Sequence, residues 1–215
     1  GAVGFFSETS GKSGKSLNHG EWQMDLIIVE SPKKAKTIES YLKKEYKVLA
    51  SNGHVIDLPK KGMGIDVDQY FIPKFEVIPG KQEILDRLKA ATKGAKIIYL
   101  ATDPDREGEA IAFHIKEYLA KEGVKAVIKR LTFHEITKTE IEKALHQAGE
   151  VNQNLVESQI TRRIIDRLMG FYLSPFLWKL LKNYKLSAGR VQSVALRFIC
   201  ERENEIDAFV PKTYF

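Results

Sequence analysis

The chain is 215 residues long, with 43% apolar and 29% charged side chains, which suits one large globular unit or two small ones and excludes a disordered polymer. No run approaches the roughly 18 apolar residues that span a bilayer, and no opening stretch has the succession of a secretory leader, so a soluble protein without membrane association is expected. The single cysteine, Cys200, excludes a disulfide framework or a cysteine-rich zinc site and favours a reducing cytoplasm, while the net charge of +6 matters through where it is gathered.

Residues 1–23 are rich in Gly, Ser and Lys without periodicity, and a flexible tail or artificial extension ahead of Met24 is expected there. Leu26-Ile27-Ile28-Val29 is the short continuous apolar run of a strand buried on both faces of a parallel sheet. It stops at Glu30. Ser31 then has the character of an N-cap and Pro32 of a first helical residue, with Ala35, Ile38 and Leu42 as the inward stripe. From Asn52 to Gly80 there are too many glycines and prolines for a long helix, and an excursion from the sheet is expected at about 55–80.

Strand grammar returns at 96–102, ends in Asp103, and gives way to a helix through Ile111, Ile115 and Leu119. A third strand at 126–131 leads into a helix introduced by Thr137 and Glu140, at capping-box spacing, with Ile141 and Leu145 facing inward. Alternating strands and helices imply an α/β fold with a parallel sheet. Past Gly149 the strand signals stop and helical patterns follow at 155–168, 174–181 and 188–206, so a domain change is expected near residue 150. Between 160 and 198, eight basic residues (Arg162, Arg163, Arg167, Lys179, Lys182, Lys185, Arg190, Arg197) stand against one acid, Asp166. With Phe171, Tyr172 and Trp178 interleaved, this stretch can pair with phosphates and stack unpaired bases; it would equally suit a solvated basic face on a helical bundle.

Parallel α/β sheets place their working groups at the carboxyl ends of strands. Two such ends carry acids: Glu30, and the run Asp103-Pro104-Asp105-Arg106-Glu107-Gly108-Glu109, where alternating carboxylates can turn several oxygens toward one point. Clustered hard oxygens suit Mg²⁺. Asp105 and Glu107 could instead simply occupy a first helical turn, where acids stabilise by roughly 0.3–1 kcal/mol; Glu30 at a second strand end weighs against that alternative.

Glu30 with the later Asp-x-Asp resembles the Toprim module shared by topoisomerases, bacterial-type primases and some nucleases. The blocks Val29-Glu30-Ser31-Pro32 through Ile38, Gly53-His54-Val55-Ile56-Asp57-Leu58-Pro59, Asp105-Arg106-Glu107-Gly108-Glu109-Ala110-Ile111, Phe133-His134-Glu135-Ile136-Thr137 and Leu186-Ser187-Ala188-Gly189-Arg190-Val191-Gln192-Ser193 look like successive blocks of type IA DNA topoisomerases, nearest to bacterial topoisomerase I. Pro104 departs from the pattern without removing a carboxylate. The resemblance implies a Toprim-type, Rossmann-like domain over 24–149 and a mostly helical, truncated DNA-binding domain over 150–215.

It also implies roles. Glu30 matches the glutamate that works in proton transfer at the scissile phosphate and assists the metal; Asp103, Asp105 and Glu107 match the acids that hold Mg²⁺; Lys34 and Arg106 would face the phosphodiester as cations. DNA contacts are implied for His54, Arg162, Arg163, Asp166, Ser187, Gly189, Arg190 and Gln192, with Phe171 and Trp178 as stacking aromatics. Independently, Arg162 and Asp166 at i, i+4 make an arginine oriented by an aspartate, a phosphate clamp, and 187–192 sets small residues at a helix start whose N–H groups face outward. Plainer roles stay open: an exposed helix lysine for Lys34, a structural histidine for His54, an ordinary helix ion pair for Arg162–Asp166, core aromatics for Phe171 and Trp178.

Type IA enzymes cut one strand with a tyrosine that is followed two positions later by arginine, forming a 5′-phosphotyrosyl bond. None of the eight tyrosines here has arginine at that offset. The resemblance therefore implies the amino-terminal part of an ATP-independent enzyme relaxing negatively supercoiled DNA. That enzyme would grip a single-stranded segment, need Mg²⁺ but no nucleotide, and act as a monomer at the nucleoid, this part alone binding DNA without relaxing it. A Toprim primase or nuclease, a topoisomerase III and a reverse gyrase module are the alternatives.

Overall fold

The computed structural model describes residues 24–42 and 44–214; the tail expected at 1–23 lies outside them. The chain runs β1 (Asp25–Val29), α1 (Pro32–Tyr41), β2 (Tyr46–Ala50), β3 (Ile56–Asp57), β4 (Ile65–Asp66), β5 (Ile72–Pro73), β6 (Glu76–Val77) and α2 (Gln82–Ala91). It continues through β7 (Ile97–Leu100), α3 (Arg106–Lys121), β8 (Val127–Arg130), α4 (Lys138–His146), α5 (Gln153–Leu181) and α6 (Arg190–Asp207).

One all-parallel sheet of order β2-β1-β7-β8 organises the first part, with Leu26 opposite Lys47 on one side and Ile98 on the other. Successive strand residues point to opposite faces. Leu26, Ile28, Ile98 and Leu100 therefore pack under Leu85 and Leu88 of α2 and Ile111, Ile115 and Leu119 of α3. Ile27, Val29, Val48 and Tyr99 pack on the other side against Ile38 of α1 and Ile141 of α4. A strand covered on both faces needs an unbroken apolar run, which is what 26–29 supplies, and each such side chain contributes about 1.5–3 kcal/mol when fully buried.

The helix starts follow their sequence signals. Ser31 Oγ accepts from the Lys34 N–H at 3.3 Å with Pro32 opening α1, and Thr137 Oγ1 accepts from the Glu140 N–H at 3.3 Å. The capping box expected at α4 is formed in one direction, because the Glu140 carboxylate pairs with Lys143 at 2.8 Å. Between β2 and α2 the chain leaves the main sheet and makes two antiparallel ladders, β3 with β6 and β4 with β5. This excursion rests on α3 where Phe75 meets His114 edge-on, 4.6 Å between ring centroids.

Burial, reinforced by the His54 charge, drives the pKa of His114 from 6.5 to about 4, and the imidazole is only 6% exposed. Asp57 opposes the shift and Lys121 adds to it. Because the unfolded chain takes up this proton first, stability contributed by neutral His114 is complete above pH 6.5 and is lost as pH falls toward about 4. His114→Phe is expected to flatten the stability curve over that window, by on the order of 3 kcal/mol at most; urea melts at pH 4.5 and 7 with the same wild-type and variant difference would contradict this.

The helical part differs from expectation in one respect. Residues 153–181 form a single 29-residue helix where two, at 155–168 and 174–181, were expected. Gly170 costs only about 1 kcal/mol in a helix interior and Pro175 about 3 kcal/mol. The turn around Pro175 is held from outside: Ser174 is buried and its Oγ accepts from the Ala188 N–H at 3.1 Å. Among the described residues no helix is long and apolar enough to cross a membrane.

Candidate acidic centre and arginine-lined cleft

Since β1 and β7 are parallel neighbours, their carboxyl ends bring Glu30 and Asp103 side by side. Lys34, in the first turn of α1, donates from Nζ to Glu30 Oε1 and to Asp103 Oδ1. Burial pushes the Glu30 carboxyl above the ordinary carboxylate range and contact with Asp103 pushes it further, while Lys34 pulls it down. Burial would raise Asp103 as well, but its hydrogen bonds with Glu30 and Lys34 and the Lys34 and Arg130 charges hold it below that range. Asp103 is thus the ionised member of the pair and Glu30 the one that keeps a proton longest.

The loop after Asp103 is fixed by close contacts. Asp105 is the N-cap of α3, its Oδ1 accepting from the Gly108 N–H at 2.7 Å, and Thr102 Oγ1 donates to the Gly108 carbonyl at 2.7 Å. A Cβ on residue 108 would lie 2.1 Å from the Asp103 carbonyl oxygen, so only glycine fits where α3 is drawn against the loop. Arg106 opens α3, half-buried. Glu107 turns the other way: its Oε2 lies 3.1 Å from His54 Nε2 and 3.3 Å from Gln159 Nε2.

The four acids expected to share one cation therefore divide, with Glu30 and Asp103 together, Asp105 on the helix start and Glu107 in the next cleft. No three His, Cys, Asp or Glu side chains among the described residues are grouped to hold a metal by themselves. A facing pair of carboxylates still matches Mg²⁺, which takes one or two such ligands and completes its shell with phosphate and water.

Glu107 borders a cleft of about 380 Å³ lined by His54, Asp57, Gln159, Arg162, Arg163 and Asp166. His54 is carried there by a turn in which Asn52 and Gly53 both take positive φ, with the Gly53 N–H donating to the Glu30 carbonyl at 2.8 Å. Asp57 holds Arg163 in a two-pronged pair at 2.8 and 2.5 Å. Burial alone would raise the Asp57 carboxyl, but Arg163 and the Leu58 N–H hold it below its usual range. Asp166 lies 3.8 Å from its expected partner Arg162 and 2.8 Å from Arg190, so it orients one arginine from each of α5 and α6.

Farther along α5, a more apolar pocket of about 580 Å³ is bounded by Arg163, Arg167, Phe171, Pro175, Trp178 and Gln192, among others. The Arg167 guanidinium sits 5.4 Å from the Phe171 ring centre, and Trp178 Nε1 donates to the Leu186 carbonyl at 2.6 Å. Gln192 Nε2 donates to Ser187 Oγ at 3.1 Å, and Gly189 is the N-cap of α6. Sequence reasoning passed over Asp57, Gln159 and Arg130, and it read Glu109 only as part of the acidic run, whereas Glu109 turns inward to Arg130. Asp57 stood inside a quoted block, yet its partner lies 106 residues away, and no local pattern reveals such a pair.

A parallel sheet carrying acids at two adjacent strand ends is the frame of a Toprim domain; the Toprim domain pattern matches residues 25–136, and the chain belongs to that family. The DNA topoisomerase pattern matches residues 150–215. The chain is 52% identical over 192 residues to DNA topoisomerase 1 of Aquifex aeolicus, covering 89% of this chain and 35% of that protein. It superposes on full-length topoisomerase I of Thermotoga maritima with a TM-score of 0.76 at 48% identity, covering 88% of this chain and 32% of the other. The chain thus joins a Toprim domain to a topoisomerase segment and spans about a third of the length of these relatives.

Proposed function

We propose that the chain is the amino-terminal part of a type IA DNA topoisomerase that cleaves, passes and reseals single strands of negatively supercoiled DNA without a nucleotide cofactor. Residues 24–149 form its Toprim domain and 150–215 the start of its DNA-gripping helical domain. The observation that carries this is the meeting of Glu30 and Asp103 at one cation, Lys34 Nζ, beside a cleft walled by Arg162 and Arg163. Mg²⁺ held by Glu30 and Asp103 would offset the charge of the scissile phosphate.

In this scheme Lys34 and Arg106 face the phosphodiester, and Glu30 moves the proton at the sugar oxygen when its carboxyl is released from the ion, while Asp103, the ionised member of the pair, stays on the metal. Asp105 keeps α3 in register, while Glu107 sets His54. Arg162, Arg163 and Arg190 grip backbone phosphates, with Asp57 and Asp166 holding the guanidinium planes. Phe171 and Trp178 flank an open, largely apolar pocket that offers a stacking face to an unpaired base, with Arg167 over Phe171 and the Ser187–Gln192 contact at its rim. Tyr41, Tyr46, Tyr70, Tyr99, Tyr118, Tyr172 and Tyr184 lack arginine two positions on, so strand cutting falls to another tyrosine, and these residues by themselves bind DNA as a monomer and do not relax it.

Supplying the tyrosine-bearing remainder in trans tests this. Mg²⁺-dependent nicking of negatively supercoiled plasmid is expected, falling by about 100-fold or more with Asp103→Asn; undiminished nicking by that variant would defeat the assignment. A second expectation concerns the grip. With Arg162→Ala and Arg190→Ala combined, the log–log salt dependence of binding to a single-stranded oligonucleotide should become shallower by about 1.4, and an unchanged slope would remove these two arginines from the interface.

A further inference from the structure

Arg130 closes β8 and is only 3% exposed, and Glu109, in the first turn of α3, is 2% exposed. The arginine Nε donates to Glu109 Oε1 at 2.9 Å. Three of its other N–H groups go to main-chain carbonyls: Nη1 to Leu100 and Leu131, at the ends of β7 and β8, and Nη2 to Asp103 at 2.8 Å. The second carboxylate oxygen of Glu109 accepts from the Asn152 N–H at 3.1 Å, and Asn152 is the N-cap of α5. One buried ion pair therefore touches the backbone of the acidic loop at one end and the root of the arginine-bearing helix at the other.

Stability alone is a poor reason for such a pair. Burial penalises both charges, and apolar residues of similar volume often replace a buried ion pair at no cost. Removing either charge alone would strand the other. What the pair does that apolar groups cannot is fix positions: a planar guanidinium with four of its five N–H donors committed fixes the Asp103 main chain against two strand ends, and a carboxylate with both oxygens engaged fixes Asn152 against α3.

We propose that Arg130 and Glu109 are positioning residues that set the Asp103 carboxylate and the root of α5 in one rigid frame, so that the cation site and the strand-gripping helix are held at a fixed separation. This rests on the cation and DNA assignments proposed above. Neither residue touches DNA or cation itself.

The test uses the whole chain with Mn²⁺ as the metal probe, followed by electron paramagnetic resonance, and a single-stranded oligonucleotide followed by fluorescence anisotropy. The double variant Arg130→Met with Glu109→Leu should melt cooperatively, yet bind Mn²⁺ at least about tenfold more weakly, as for outer-shell partners of metal ligands. Wild-type Mn²⁺ affinity in the folded double variant overturns the proposal. Should that variant not fold, Glu109→Gln decides: its amide keeps one acceptor for Arg130 and turns an NH₂ toward the Asn152 N–H. Oligonucleotide affinity should then fall severalfold with the salt slope unchanged, because α5 shifts without losing a phosphate contact; unaltered affinity overturns the proposal. Failure of the wild-type chain to take up Mn²⁺ would instead defeat the cation assignment, leaving the helix half to be judged by Glu109→Gln.

Discussion

Gly108→Ala is expected to destabilise the chain by at least about 3 kcal/mol, at the upper end of what overpacking costs. The new methyl would sit 2.1 Å from the Asp103 carbonyl oxygen and 2.8 Å from its nitrogen, both backbone atoms. Neither can yield without moving the loop, because Arg130 holds that same carbonyl and the Gly108 N–H and C=O are taken by Asp105 and Thr102. Gly123→Ala is the control. There φ is +75° in open space, so only the left-handed backbone is penalised, by about 1–2 kcal/mol. Urea midpoints give both values, and a Gly108→Ala loss no greater than that of Gly123→Ala would show that the loop yields freely.

Lys34→Met is expected to act in opposite directions on cation binding and on catalysis. The Lys34 ammonium bonds the same two carboxylates that would take a divalent ion. Removing it abolishes a competing charge and should tighten Mn²⁺ binding about tenfold, a change of about 1.4 kcal/mol. Nicking activity in the reconstituted enzyme should fall, since a cation facing the phosphate is gone. The pH dependence follows from Glu30. Its folded pKa is already raised, by burial and Asp103, and Lys34 is the group that restrains it. A carboxyl that holds its proton more tightly when folded loses stability as pH rises through its folded pKa. The stability gap between variant and wild type should therefore widen upward from pH 4.5, the ordinary value of this carboxyl. Weaker Mn²⁺ binding in Lys34→Met would mean that the ammonium assists the ion and does not compete with it.

The two central strands, β1 and β7, were readable because they are covered on both sides. Runs such as 26–29 and 97–100 are rich in branched apolar residues and too short to be helices of their own, and Ser31-Pro32 and Thr137 announce their helices by chemistry that acts within three residues. β2 and α2 were not anticipated. Tyr46-Lys47-Val48-Leu49-Ala50 is an edge strand with an exposed lysine, and α2 follows at once on the Pro79-Gly80 turn.

The acids were found as residue types at strand ends, but their division among Lys34, the helix start and His54 was not. That division is decided by rotamers and by partners from other elements. The same holds for the arginines: the i, i+4 spacing pointed Asp166 at Arg162, yet Arg190, 24 residues onward, makes the closer pair. Long-range ties between charged side chains leave no periodicity to read.

Arg167 reaches from α5 to the excursion and takes hold of two carbonyl oxygens, those of Pro59 at 2.8 Å and Gly62 at 3.2 Å. A carbonyl is the same on every residue, so this fastening is indifferent to spelling. The exposed Lys60 and Lys61 between the two anchor points can be exchanged for almost anything that keeps the chain's path. Their number cannot change: one residue fewer would pull the two oxygens out of reach of a single guanidinium, so this stretch tolerates substitution and resists deletion.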